Sequence, residues 1–270
     1  MSYLDEGSPN DEAVLMLHGN PTWSFYYREL VQALSPNLRC VAPDHIGMGL
    51  SDKPVNYPYT LETRIADIEA LVVKLRFKRV HLVVHDWGGA IGFGFADRHP
   101  EMIGRIVILN TAAFRSLEIP ARIKLCKLPW IGPFIVRAFN GFAGPATWMA
   151  MNRRALSTDE KHAFLFPYKT WRDRIAVSAF VQDIPLSPAH RTFETLSRVE
   201  KGLAQFRDHA VLILWGGKDF CFNDHFLARW RGLLPKAEVH RFDDAGHYVL
   251  ADAREQAVPK AAAFLLNSTH

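Results

Sequence analysis

The stretch 79–94, RVHLVVHDWGGAIGFG, constrains this chain more than any other. Val80, Leu82, Val83 and Val84 form a short, nearly continuous apolar run, the pattern of a strand buried on both faces. The glycines and alanine that follow open a helix, so Asp86 stands at a sharp junction on the carboxyl edge of a sheet. Strand and helix backbones come close there, and Gly88 and Gly89 supply the room. A helix amino terminus favours an anion through its dipole and unpaired N–H groups, which predicts an ionised and accessible Asp86. Local spacing serves a helix cap as well as a nucleophile, and by itself does not separate them.

The rest of the chain alternates around that junction. Strands are expected at 13–17, 39–42, 106–109, 210–215 and 238–242, with an edge strand at 3–6. Helices are expected at 23–34, at 61–75 with Thr60 as its cap, at about 224–234, and toward Leu266. From Phe114 to about Val199 the text is rich in Pro, Trp and Phe and reads as helices without strands. The fold class is therefore α/β: a mostly parallel, doubly covered sheet built from 1–113 and 200–270, with 114–199 inserted as a helical cap over the strand ends. Within that insert LPWIGPFIVRAFNGFAG has the make-up of an amphipathic surface helix, although packing on its own neighbours is the simpler expectation.

Composition narrows the functions. A chain of 270 residues with a formal charge of +4 has no concentrated basic stripe, which argues against nucleic-acid binding. Cys40, Cys126 and Cys221 are scattered without metal-ligand spacing and are expected to be reduced and buried, in keeping with a cytoplasmic location. No apolar run approaches membrane length, so neither a membrane span nor a signal peptide is expected.

Ligands of such sheets bind outside the carboxyl ends of the strands, where Asn20, Asp86, Asn110, Asp219 and His247 should meet. An elbow carboxylate attacks an electrophilic carbon and leaves an ester on the protein. Hydrolysis of that ester requires a base, and His247 stands last in the order nucleophile, acid, base. An anion must orient the histidine, and Asp219 is preferred because Asn110 carries no charge; Asp243 and Asp244 read as turn residues. Trp87 and Asn20 offer N–H donors to a departing anion, and the Trp87 backbone N–H to an oxyanion.

With these residues in place, the chain resembles the α/β-hydrolase superfamily and, within it, the haloalkane dehalogenases. The likeness rests on HGNPTW (18–23), PDHIGMGLSD (43–52), HDWGG (85–89), WGGKDF (215–220) and DDAGHY (243–248), nearly the whole length. It implies Asp86 as nucleophile, His247 as base, Asp219 as acid and the pair Asn20 and Trp87 as halide site, an arrangement like the family's third subgroup. NTAAF (110–114), VQDIPL (181–186) and DFCFNDHF (219–226) also resemble the β-lactone decarboxylases of bacterial olefin biosynthesis, which share the catalytic set. The resemblance thus implies a small apolar substrate, a haloalkane first or an alkyl β-lactone as the alternative, with no cofactor and no metal. Epoxide hydrolysis ranks third, because it draws a pair of tyrosine donors from the cap and the insert holds only Tyr168. One departure stands out: Val84 occupies the position two before the nucleophile, where many hydrolases carry Gly.

Overall fold

Apolar runs of five or six residues leave neither face fit for water, so they pair side by side and are covered by helices above and below. The computed structural model describes residues 1–267. In chain order the elements are β1 (Tyr3–Glu6), β2 (Glu12–Leu17), α1 (Arg28–Leu34), β3 (Arg39–Pro43), α2 (Leu61–Leu75), β4 (Arg79–Asp86), α3 (Trp87–Arg98) and β5 (Ile103–Thr111). Six helices follow: α4 (Ala121–Lys127), α5 (Ile131–Ala138), α6 (Ala143–Met149), α7 (Thr158–Leu165), α8 (Ile175–Gln182) and α9 (Phe193–Gly202). Alternation then resumes with β6 (Val211–Gly216), α10 (Asp224–Leu233), β7 (Glu238–Phe242), α11 (Val249–Asp252) and α12 (Arg254–Leu266).

The seven strands lie in the order β1-β3-β2-β4-β5-β6-β7, parallel except for β1, which runs antiparallel to β3. Two apolar layers sandwich this sheet. One holds Ile65, Ile91, Phe93 and Trp230, the other Tyr26, Leu30, Leu250 and Val258. Helix α2 illustrates how local sequence sets an element: Leu61, Ile65, Ile68 and Val72 form the buried stripe, and the Thr60 side chain accepts from the Thr63 N–H.

Helix α3 packs unusually close to the sheet. A side chain at Gly88 would come within 1.9 Å of the Leu17 carbonyl oxygen, and one at Gly92 within 2.7 Å of Val84 Cγ1. Gly92 therefore makes the room that the missing glycine at position 84 would otherwise have supplied.

Four expectations are modified. The helix expected at 23–34 begins as a 3₁₀ turn, Ser24–Tyr27, before α1, and the strand expected at 106–109 extends both ways to Ile103–Thr111. The boundary placed at 199/200 falls inside α9, which packs against α3 of the sheet layer. The segment LPWIGPFIVRAFNGFAG forms no single packed helix. It is divided between a turn, α5 and the start of α6, and Trp130 and Phe139 stand 89% and 73% exposed.

Candidate active site

The strand-to-helix junction places Asp86 at φ 50° and ψ −125°, a conformation that a side chain with a Cβ adopts only under constraint. The constraint is visible: Thr111 Oγ1 donates to the Asp86 carbonyl oxygen, and β4 pairs with β5 through Val84 opposite Ile108 and Asp86 opposite Thr111. Asp86 forms no side-chain cap hydrogen bond of the usual kind; among its helix's N–H groups its carboxylate meets that of Trp87 at the turn. Its Oδ1 accepts from the backbone N–H of Asn20 at 2.6 Å. That approach requires Gly19, because any Cβ there would lie 2.0 Å from Asp86 Oδ1.

His247 faces Asp86 from the loop after β7, its Nε2 3.8 Å from Asp86 Oδ2. Its Nδ1 donates to Asp219 Oδ2 at 2.7 Å, and Asp219 Oδ1 accepts from the Cys221 N–H at 2.6 Å. The Nδ1 proton is thus fixed, and Nε2 is the nitrogen turned toward Asp86. The ring is held from two further sides. Phe222 stacks on it with centroids 5.7 Å apart, and His85 Nε2 donates to the His247 carbonyl at 3.0 Å.

Burial sets the electrostatics. It raises the proton affinity of Asp86, a push that His247 and the N–H groups of Asn20 and Trp87 only partly oppose. For His247, burial acts downward, but the charge and hydrogen bond of Asp219 and the charge of Asp86 outweigh it and raise the pKa. His85 is pushed well below the ordinary imidazole range, first by burial and then by His247, and stays neutral. Asp86 is accordingly less accessible than its sequence position implied, at 8% exposure, and its pKa moves up rather than being held down by the helix amino terminus.

Asp86, His247, Asn20 and Trp87 form the floor of a cavity of about 430 Å³. Its walls are mainly apolar and come from both sides of the insert, among them Phe114, Ile123, Phe142, Ile184 and Leu196, with Glu118 and Arg122 as charged members. Trp87 is half-buried with its ring 5.5 Å from Phe180, and its indole N–H has no partner among the described residues. Asn20 behaves differently from the expectation. Its side-chain Nδ2 donates to the Val177 carbonyl of α8 at 3.0 Å, and it is the backbone N–H that meets Asp86.

A floor with a buried carboxylate, a carboxylate-oriented imidazole and one indole N–H open to the cavity, under a mainly apolar roof, is equipped for nucleophilic attack on an apolar electrophile. The alpha/beta hydrolase fold model matches residues 12–253. The chain belongs to that family.

Among relatives of this α/β-hydrolase, the cis-3-alkyl-4-alkyloxetan-2-one decarboxylase of Shewanella oneidensis is 45% identical, over 98% of this chain and 85% of the relative. The enzyme of that name from Xanthomonas campestris is 46% identical, over 98% of this chain and 92% of its own length. Haloalkane dehalogenase 2 of Mycobacterium bovis is 28% identical, over 94% of this chain and 87% of the relative. In fold, the crystal structure of haloalkane dehalogenase DbeA from Bradyrhizobium elkani matches with a TM-score of 0.87 at 24% identity, over 97% of this chain and 92% of that one.

One predicted member does not join the site. Asn110 is fully buried and splices β5 to β6: its Oδ1 accepts from the Gly216 N–H at 2.8 Å, and its Nδ2 donates to the Gly216 carbonyl at 3.0 Å. Asp243 and Asp244 pair with Arg241 and Arg153 at the surface, as turn residues do. Cys221 is half-buried on the cavity wall rather than sealed in the core, and burial pushes its thiol pKa well up. Sequence reasoning missed the parts of His85, Cys221 N–H, Phe222 and Gly19; only Gly19, inside HGNP, carried a signal that close approach was needed.

Proposed function

We propose that this α/β-hydrolase is a lyase that converts cis-3,4-dialkyl β-lactones to cis-alkenes and carbon dioxide. The observation that carries the reading is the near-complete alignment with the two enzymes named for oxetan-2-ones, which are β-lactones, at far higher identity than the dehalogenase. The order in which the sequence ranked the two activities is thereby reversed. A cavity walled by apolar side chains on both sides suits a ring with two alkyl arms.

In this reading Asp86 is the nucleophile. Its Oδ2 bonds to the ring carbon that carries the ring oxygen, and the pair of the broken carbon–oxygen bond departs as a carboxylate. The bond from that carboxylate to the neighbouring carbon then supplies the alkene electrons, carbon dioxide leaves, and the Asp86 ester breaks to return the carboxylate. Water is not consumed and no cofactor is required. His247, held by Asp219 and with a raised proton affinity, serves as the cation opposite the opening ring, and the 114–199 segment acts as the cap that excludes water.

Hydrolytic dehalogenation is the second reading, favoured by the unpartnered Trp87 indole N–H on the cavity, which would meet a halide. Epoxide hydrolysis loses ground, because the Tyr168 hydroxyl is buried between Gly49 N and the Thr22 carbonyl, 3.4 Å from each, and does not line the cavity. Parallel incubation with a cis-dialkyl β-lactone and with 1-bromobutane is the test. Alkene with carbon dioxide from the first is expected; bromide release with an inert lactone would overturn the lyase reading.

A further inference from the structure

The outer side of the insert is built unlike the rest of the surface. Trp130 is 89% exposed at the apex of a γ-turn, φ 64° and ψ −50°, closed by the Ile131 N–H on the Pro129 carbonyl at 2.7 Å. A bulky side chain in that left-handed region is strained, and here the strain serves to hold an indole in the open. The neighbours continue the surface: Phe134 contacts Phe139 with centroids 5.6 Å apart and Trp171 at 6.1 Å, and all three are exposed. Isolated apolar side chains on a surface need no explanation, but a contiguous aromatic group does.

Its charge is one-sided. Between Glu118 and Asp159 the chain contains no Asp or Glu, and of the cations on α4 and α5 Lys124 stands exposed and Arg137 half-buried, while Arg122 lines the cavity over Phe220 and Lys127 donates to the Gln182 carbonyl at 2.7 Å. Arg137 lies over the Trp171 ring at 4.4 Å and Lys169 over Phe166 at 4.3 Å, so cations border the aromatics. Asp173 contributes a carboxylate, held in a local turn by Thr170, whose N–H and hydroxyl both donate to it at 2.8 Å.

We propose that this face, formed by the outer side of α4, the turn at Trp130 and α5, docks on the surface of an anionic bilayer with Trp130 and Phe139 among the lipids. Aromatics at headgroup depth with Lys and Arg at the rim are the composition of an interfacial anchor. A second copy of the chain fits less well, because a two-fold contact would press one basic rim on another. The docked helix is also a cavity wall: Ile123 and Cys126 on α4 line the cavity, while Leu125 on the same helix and Leu128 just after it are exposed. A lipid-dissolved lactone would then enter without crossing water. That consequence rests on the function proposed above; the docking does not.

Sedimentation with vesicles tests it without turnover. The protein should pellet with phosphatidylglycerol–phosphatidylcholine vesicles, less so at high salt, and stay in solution with phosphatidylcholine alone. Trp130→Asn combined with Phe139→Ser should weaken binding about tenfold or more, with an unchanged circular dichroism spectrum. Lys124→Glu, which reverses a charge while removing little apolar area, should weaken it on the anionic vesicles. Failure of the wild type to pellet with anionic vesicles, or equal binding by the variants, overturns the proposal. So does a concentration-dependent dimer, seen by size exclusion, that the double substitution disperses, which would assign the face to a second copy.

Discussion

The floor and the roof of the cavity are made by opposite means. The floor belongs to the sheet, and its polar atoms are pinned by short contacts: Asn20 N–H on Asp86 at 2.6 Å, His247 on Asp219 at 2.7 Å, Cys221 N–H on Asp219 at 2.6 Å. The roof belongs to the helical insert and offers the cavity mainly apolar surface, with its polar contacts spent on fastening it to the sheet layer. Asp183 shows the fastening. Its Oδ2 accepts from the Leu61 N–H at the start of α2, and it faces Arg64 at 3.6 Å, both side chains fully buried. Glu160 of α7 likewise binds Arg28 of α1 at 2.9 Å and Arg154 at 2.7 Å, which lowers its pKa to about 2. Reactivity and substrate choice are thus held on separate pieces of chain, and each can be disturbed alone.

The largest effect should come from the floor. Asp86→Asn replaces the carboxylate oxygen proposed to attack, and turnover should fall by about 10⁴-fold or more with the melting temperature little changed; ordinary steady-state activity in fresh mutant would break the division. Asp219→Asn should leave substrate affinity near normal and lower kcat by about 10²- to 10⁴-fold, read from the split between kcat and KM.

The fastening of the roof comes next. Asp183→Ala leaves Arg64 buried without its carboxylate, and stability should drop by about 3–5 kcal/mol, measured by urea unfolding. The ordinary carboxylate pKa of an unfolded Glu160 lies above its folded value, so its contribution is complete above the unfolded value and disappears as pH falls through that window toward 2. Acid unfolding of Glu160→Gln should lack that component.

A pH profile sharpens the comparison further. A hydrolase needs neutral His247 as base, so its rate falls as pH drops through that residue's raised pKa. A lyase that uses the protonated ring shows the opposite limb, its rate falling as pH rises through that pKa. His247→Phe makes the same distinction by intact mass: an alkyl adduct on Asp86 should persist with 1-bromobutane and should not build up with the lactone. The smallest effect belongs to the roof's inner surface. Leu196→Phe should shift the preferred alkyl length and leave kcat for short substrates within about threefold.

Much of this was legible in the chain because it is encoded locally. The run of valines before Asp86, the glycines after it, Thr60 ahead of an apolar stripe and the AGH turn each specify their own few residues by period and turn chemistry, and they announced the fold class and the three residues now found together. What tertiary structure decided concerns atoms brought together from distant positions. Asn110 and Asp219 were both expected at the strand ends, Asp219 preferred as the acid for its charge; the pairing of β5 with β6 made Asn110 a splice inside β5 and left Asp219 beside His247. Asn20 was read through its amide, yet its backbone N–H makes the contact, because Gly19 lets the chain approach Asp86. The helix amino terminus argued for a readily ionised Asp86, whereas desolvation by residues far away in sequence raises its pKa. Apolar spacing places a stripe on a helix, but whether that stripe meets a neighbour or open space depends on what the rest of the chain brings opposite it, and opposite Trp130 it brings nothing among the described residues.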